Sequence, residues 1–438
     1  MKTQEKSKRV CVVGGGAAGL MSAISASENG ALVTLYEKNR SEKKIASEEY
    51  FDNAYLGKKL LITGKGRCNV ANASEIPDIL KHIPQNPKFM YASLYSFPPE
   101  KLMSFFEENG CPLKIERGNR VFPVSDKALD ILKVLKNKLR ENGVKIVNKK
   151  IVDVKAEDGH FVSVTDEDGK EVFFDACIVC TGGLSYPVTG SDGDGYTFAR
   201  NTGHTVTDTY PSLVPLTSND SICKALQGLS LKNITLSVYD TQKKKVIFEK
   251  LGEMLFTHYG VSGPLVLSAS SHMRKVEDAR FILRIDLKSA LDEKTLDERL
   301  LSEFSQNPNK DLQNVMAHLL PSKMVVPFIE KCSLSPSLKV NGITKEQRRK
   351  LIETLKCFEI SVSGTRPIAE AVITSGGVSV KDINPSTMES KHVKNLYFAG
   401  EVIDVDAYTG GYNLQIAFSS GRLAGAHAAE YVKKDPKG

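Results

Sequence analysis

Gly14, Gly16 and Gly19 stand between a short apolar run at 10–13 and an apolar pattern of helical period through Leu20, Met21, Ala23, Ile24 and Ala26. That order is strand, glycine turn, helix. Gly14 makes the tight turn, Gly16 admits a pyrophosphate and Gly19 lets the helix approach the strand, while Gly15, Ala17 and Ala18 complete the turn and open the helix. The helix N-terminus supplies partial positive charge for phosphates. Asn29-Gly30 stops the helix, and residues 32–36 read as a second strand closing on Glu37, with Lys38 beside it. Glu37 is placed to accept hydrogen bonds from a ribose diol, so the unit is predicted to hold an adenine dinucleotide. A purely structural glycine turn is the alternative. An acidic residue here disfavours a 2′-phosphate, so NADP is not the expected occupant of this site, which leaves NAD and FAD open.

A segment near the other end of the chain chooses between them. An apolar strand through Leu396 to Ala399 ends in Gly400-Glu401, and Asp404 follows in a short loop. Then Gly410-Gly411 opens a helix that begins Tyr412-Asn413-Leu414 and carries Gly421 and Gly425 for close packing. Gly400, Glu401 and Asp404 suit the ribityl and phosphate region of FAD, and the amides around Gly411 to Leu414 suit its pyrimidine edge. A helix N-terminus there would stabilise negative charge on the reduced ring. A turn followed by an ordinary core helix is the alternative.

Residues 60–72 (LLITGKGRCNVAN), 181–195 (TGGLSYPVTGSDGDG), 256–264 (FTHYGVSGP) and 373–378, taken with both glycine segments, extend over most of the chain. In them the sequence resembles a bacterial family of NAD(P)/FAD-dependent oxidoreductases, the aminoacetone-oxidase-like FAD-binding enzymes, which includes a 3-dehydro-bile-acid dienone reductase. The resemblance implies non-covalent FAD as cofactor. It also places the loop with Gly66, Arg67, Cys68 and Asn69 against FAD, where Arg67 and the loop amides would clamp pyrophosphate. The candidate cofactor-binding set is completed by Lys59 and by Thr181, Gly182 and Gly183, a close-approach turn after an apolar strand.

The activity this implies is hydride transfer through flavin N5: NAD(P)H-dependent reduction of a small organic substrate such as a conjugated C=C. Oxidation of a small amine by O2 and a tRNA-modifying flavoprotein are the alternatives. With no second glycine fingerprint, NAD(P)H would be a transient co-substrate. His258 is the candidate acid or base, since its ordinary pKa suits proton transfer near neutrality, with Tyr412 and Tyr186 as substitutes. A histidine simply bonded into its turn is the alternative. Cys68 reads as packing rather than a redox thiol. The run Ser191 to Asp194 lacks the ligand series of a calcium loop, and no histidine shows metal-ligand spacing, so no metal is expected.

These residues need an α/β scaffold. Besides the β-α-β unit, helices are predicted at 102–109 and 127–141, and strands at 144–147, 151–155, 161–165, 171–174 and 176–180. The turns Asp158-Gly159 and Asp168-Gly169 mark hairpins. From about residue 200 short strands with Pro-rich turns take over, and 291–356 is helical and polar, punctuated by Pro308, Pro321, Pro327 and Pro336. The predicted fold is a Rossmann-like, glutathione-reductase-like FAD-binding domain from 1–194 and 366–438, with a β-barrel-like plus helical domain inserted at 195–365. The active site is expected between the two domains.

Composition sets the outer limits. A chain of 438 residues with 41% hydrophobic and 25% charged residues is an ordinary globular sequence, which excludes disordered and disulfide-stapled classes. The net charge of +7 is spread over scattered basic pairs and one triplet, Lys243 to Lys245. It reads as solvated surface, with an anionic ligand or RNA as the alternative, so nucleic acid is not the expected partner. No apolar run approaches the roughly 18 residues of a membrane helix. The basic start followed by residues 10–13 imitates a signal peptide but breaks at once into glycines, which points to the cytoplasm. The eight cysteines show no framework, and Cys177 and Cys180 are expected to be reduced and buried.

Overall fold

The computed structural model describes residues 9–40 and 55–433; the signal-like start at 1–8 lies outside the described residues. The chain divides into two compact units, Met1–Ser212 with Ile368–Gly438, and Leu213–Pro367.

The first unit is built on a five-stranded parallel sheet in the order Leu396–Phe398, Ala176–Val179, Arg9–Val13, Leu32–Tyr36, Lys145–Val147. Val10, Cys11, Val12 and Val13 are buried, as are all four residues of Ala176–Val179; strands covered on both faces read as continuous apolar runs. Cys11 and Cys177 lie side by side in register with free thiols. The helices Ala17–Glu28 and Tyr412–Lys433 pack against each other. A Cβ on Gly421 would lie 2.4 Å from the Ala18 carbonyl oxygen, and one on Gly425 would lie 2.3 Å from that of Ser22. The predicted hairpins form a three-stranded antiparallel sheet, Ile151–Glu157, His160–Asp166 and Glu171–Phe173. A second small sheet, Ala71–Asn72 with Arg120–Pro123 and Leu113–Glu116, has no counterpart among the predicted strands.

The second unit holds a seven-stranded antiparallel sheet in the order Phe358–Ser361, Phe281–Asp286, Ser230–Asp240, Lys245–Thr257, Gly260–Ser262, Leu216–Thr217, Gly364–Thr365. The helices Glu293–Gln306, Leu312–Met316, Ser322–Lys331 and Lys345–Lys356 bury Leu296, Leu300, Met316, Phe328, Leu351 and Leu355 in its core. Pro327 lies inside a helix rather than ending one. Its missing ladder bond is offset by burial of Met324, Val325, Phe328 and Ile329 around it.

This unit begins at Leu213, later than the boundary of 195 expected from composition. Residues before it include the helix Asp194–Asn201 and the strand Tyr210–Ser212, which pairs antiparallel with Ile373–Ser375 of the returning chain. The polar loops at 202–209 imitate a composition shift, but the partner strand keeps them with the parallel sheet.

Gly425→Val would drive a side chain into the Ser22 carbonyl and part the two helices. It should destabilise the protein by about 2 to 3 kcal/mol, lowering Tm by several degrees in thermal unfolding. Gly342→Ala, where a Cβ would meet only Leu338 Cδ1 at 3.9 Å, should leave Tm unchanged.

Candidate functional site

The glycine turn is shaped by what its neighbours forbid. Gly14 adopts φ +105°, its N–H donates to the Tyr36 carbonyl at 2.8 Å, and a Cβ on it would lie 2.6 Å from the Cys180 oxygen. A Cβ on Gly19 would sit 1.8 Å from the Gly14 oxygen, so only glycine lets the helix start this close to the strand. Gly16 differs: its backbone is extended and a Cβ there would meet nothing within 4 Å. It faces open space beside a helix N-terminus that no side chain caps, leaving first-turn N–H groups to point at an anion.

That space belongs to a cleft partly open to solvent. Its lining brings together Gly14, Gly15, Gly16, Ala17, Ala18, Glu37, Lys38, Lys59, Thr181, Gly182, Glu401, Asn413 and Leu414 of the predicted set. Glu37, at the end of the second strand, accepts from the Gly15 N–H at 2.8 Å and from the Asn39 N–H and Nδ2 at 2.7 Å. Burial pushes its carboxyl above the usual carboxylate range, against those hydrogen bonds. Glu401 is mostly removed from water, but the Lys59 ammonium at 2.7 Å and the Ser185 hydroxyl at 2.7 Å outweigh that burial and hold its carboxyl below that range. Asn413 closes the loop before its own helix, accepting from the Ala407 N–H at 2.8 Å and donating to the Ala407 oxygen at 2.7 Å.

Other predicted residues shape the walls from behind. Gly400 brings the end of its strand against Ala18, whose Cβ would lie 2.6 Å from a Cβ at 400. Gly183 lies against Thr374 and Glu401, and Asp404 is buried with its N–H bonded to the Val378 oxygen at 3.0 Å. Gly411, at φ +96°, packs on the Ala71 carbonyl and the Asn69 Oδ1. Cys68 is fully buried, and that burial pushes its thiol up to about 12, so it packs as a protonated side chain beside Gly66 and Asn69. Tyr412 is buried with its ring stacked on His82 at 4.5 Å, and burial raises its hydroxyl pKa. His258 is exposed at the turn between Lys245–Thr257 and Gly260–Ser262 of the second unit.

Arg67 corrects the expectation of an anion clamp. Its guanidinium lies over the Phe122 ring at 4.1 Å and pairs with Glu116 and Asp126, and it is not among the residues lining the cleft. Two carboxylates already neutralise it. Asp192 and Asp194, weighed as a metal loop, instead pair with Lys38 at 2.5 and 2.7 Å. The cleft also recruits Asn39, Lys58, Lys149 and Lys150, none of them singled out from the sequence, together with Thr189 and Ser191 of the segment 181–195. Lys149 and Lys150 had a usable signal: they follow directly after a parallel strand, and ligands of such sheets bind at the strands' carboxyl ends.

An adenine dinucleotide fits this donor set. The Thr181 Oγ1 and Asn69 Oδ1 are buried without a hydrogen-bond partner among the described residues. An uncapped helix N-terminus flanks the cleft, with the buried Glu37 carboxylate beside it at the end of the second strand. Gly16→Leu should leave the melting temperature of the apoprotein unchanged, because nothing opposes its side chain, yet weaken dinucleotide binding at least about tenfold by filling the phosphate position. Gly14→Ala should instead lower the apoprotein's own stability. Calorimetric titration with FAD beside thermal unfolding separates the two.

The family profile described as HI0933-like protein Rossmann domain matches residues 8–427. The chain is 30% identical over 427 residues to 3-dehydro-bile acid delta(4,6)-reductase of Clostridium scindens, covering 96% of this chain and 99% of that protein. It is 30% identical over 419 residues to a ribosomal RNA dihydrouridine synthase of Haemophilus influenzae, covering 93% of this chain and 95% of that one. Among solved structures, E. coli quinol fumarate reductase FrdA shares the fold at a TM-score of 0.51 and 17% identity, over 99% of this chain and 72% of that chain. The glycine turn, the parallel sheet and the full-length match converge: the chain belongs to the HI0933-like family of FAD-binding Rossmann proteins and is an FAD-dependent oxidoreductase.

Proposed function

We propose that the protein reduces a carbon–carbon double bond conjugated to a carbonyl, with NAD(P)H as the electron source. The observation that carries this reading is the pair of full-length relatives. A delta(4,6)-reductase saturates such bonds in a steroid, and dihydrouridine is uridine with its ring double bond saturated, so both names describe one reaction type. When bound, FAD supplies reversible two-electron chemistry, passing a hydride through its N5.

The chain's residues have separable tasks in this reading. The uncapped amides at Ala17 and Ala18 would hold the pyrophosphate, and Glu37 would hold the ribose. Glu401, with Gly400 behind it, would border the ribityl chain, and Asn413 and Leu414 would present the N-terminus of the last helix to the pyrimidine edge. That helix end favours negative charge on the reduced ring. His258, exposed at its turn, delivers the proton that accompanies the hydride. Tyr412, packed on His82, supports the helix start rather than donating.

The preferred substrate is a small conjugated enone or dienone. Uridine in ribosomal RNA is the second reading, favoured by the relatives of that name and by the excess of seven positive charges.

The test is an anaerobic absorbance titration between about 300 and 550 nm, where bound flavin absorbs. NADH or NADPH should bleach the flavin band, a conjugated dienone should restore it quickly and air only slowly. Fast recovery in air alone would replace this reading with an oxidase, and recovery with unmodified ribosomal RNA but no dienone would select the second reading. His258→Gln should slow turnover by roughly a hundredfold while flavin content and Tm stay the same.

A further inference from the structure

The segment 182–193 joins the sheet strand Ala176–Val179 to the helix Asp194–Asn201 without ladder pairing of its own. It turns at four left-handed positions, Gly182 at φ +75°, Tyr186 at +50°, Gly190 at +99° and Gly193 at +92°. The strain at Tyr186, where no glycine relieves it, persists only because its surroundings hold it. Gly182, Thr189, Gly190 and Ser191 line the cleft, so this segment forms one of its walls. Its outer turn carries Val188 at 74% exposure.

Side chains pin the wall at two places. At its root, the Leu184 and Ser185 N–H groups donate to the Thr374 hydroxyl at 2.8 and 3.1 Å, and the Ser185 hydroxyl donates to Glu401. Lys59 spends all three of its donors here, on the Ser185 oxygen at 3.2 Å, the Ser185 hydroxyl at 2.6 Å and Glu401 at 2.7 Å. At the far end Asn39 donates to the Thr189 carbonyl at 3.0 Å, and Lys38 bridges Asp192 and Asp194. Both lysines border the cleft, yet each ammonium is engaged by protein acceptors. The ion pairs at the far end are half-buried, with 22% of the Lys38 side chain exposed against 45% of Asp192, so salt reaches them.

We propose that residues 182–193 form a strap that closes one side of the cleft over bound FAD, and that Lys38 and Lys59 are positioning residues that hold the strap rather than cofactor ligands. This rests on the reading of the cleft as the FAD site. A wall held by polar contacts opens more cheaply than one held by a core, and its opening sets how fast the cofactor leaves. Lys38, whose partners are the more exposed, is the releasable end, and Lys59 with Glu401 is the fixed end.

The experiment uses the flavin-loaded protein and reads FAD release, as recovery of free-flavin fluorescence after dilution, at about 0.05 and 0.5 M NaCl. High salt should speed release from the parent protein. Lys38→Met should speed it roughly tenfold at low salt and abolish the salt dependence, while Lys38→Arg, which still reaches both carboxylates, should restore both. Asp192→Asn tests the same pin from the strap side and should act in the same direction, so a poorly folding Lys38→Met does not end the test. Hydrogen exchange of peptides covering 184–192 should rise in both variants, with the parallel sheet still protected. Parental release rates in Lys38→Met and Asp192→Asn overturn the strap while leaving the FAD site standing. A protein that neither carries flavin nor takes it up overturns the FAD site and the strap with it.

Discussion

The first helix lies closer to its neighbours than side chains allow, and the position of the cleft follows from that. Gly19 puts the helix start onto the backbone of Gly14, Gly421 and Gly425 press the last helix onto Ala18 and Ser22, and Gly400 brings a strand end against Ala18. Each contact would require a Cβ to sit inside van der Waals distance of a neighbouring atom. The result is a helix wedged by backbone contact between the sheet and the last helix, with its N-terminus held at the carboxyl edge of the strands. Partial positive charge at a helix end is useful to a ligand only if it stays in place, and packing at glycine distance keeps it there.

Two carboxylates at this edge show how environment divides one chemistry. Glu37 is met by neutral N–H groups, so the cost of burial dominates and its carboxyl rises. Glu401 meets the Lys59 ammonium, so its carboxyl falls although it too is largely removed from water. It is a fixed anion that organises Ser185, Thr374 and Lys59 around it.

The segments with local signatures were legible in the sequence. The glycine fingerprint, the hairpin turns at Asp158-Gly159 and Asp168-Gly169 and the glycine pair before the last helix depend on a few consecutive residues, and each is where it was expected. Arg67 was not legible, because a guanidinium in a glycine-rich loop looks the same whether it faces a phosphate or Glu116 and Asp126, which are distant in sequence. The same holds for the short strands Leu113–Glu116 and Arg120–Pro123, which pair with each other, the second also pairing with Ala71–Asn72 from elsewhere in the fold.

The sequence by itself determined the β-α-β unit, the positions that only glycine can fill, and the kind of ligand an uncapped helix end and a following carboxylate accept. Those are short-range consequences of backbone sterics and hydrogen-bonding capacity. Only the tertiary structure decided which charged side chains reach the cleft and which neutralise one another. It alone showed that Lys59 is consumed by Ser185 and Glu401, that Lys38 is drawn to Asp192 and Asp194, and that residues 195–212 stay with the parallel sheet. Charge pairing acts over a few ångströms of space, and residues hundreds of positions apart in the chain become neighbours only after it has folded.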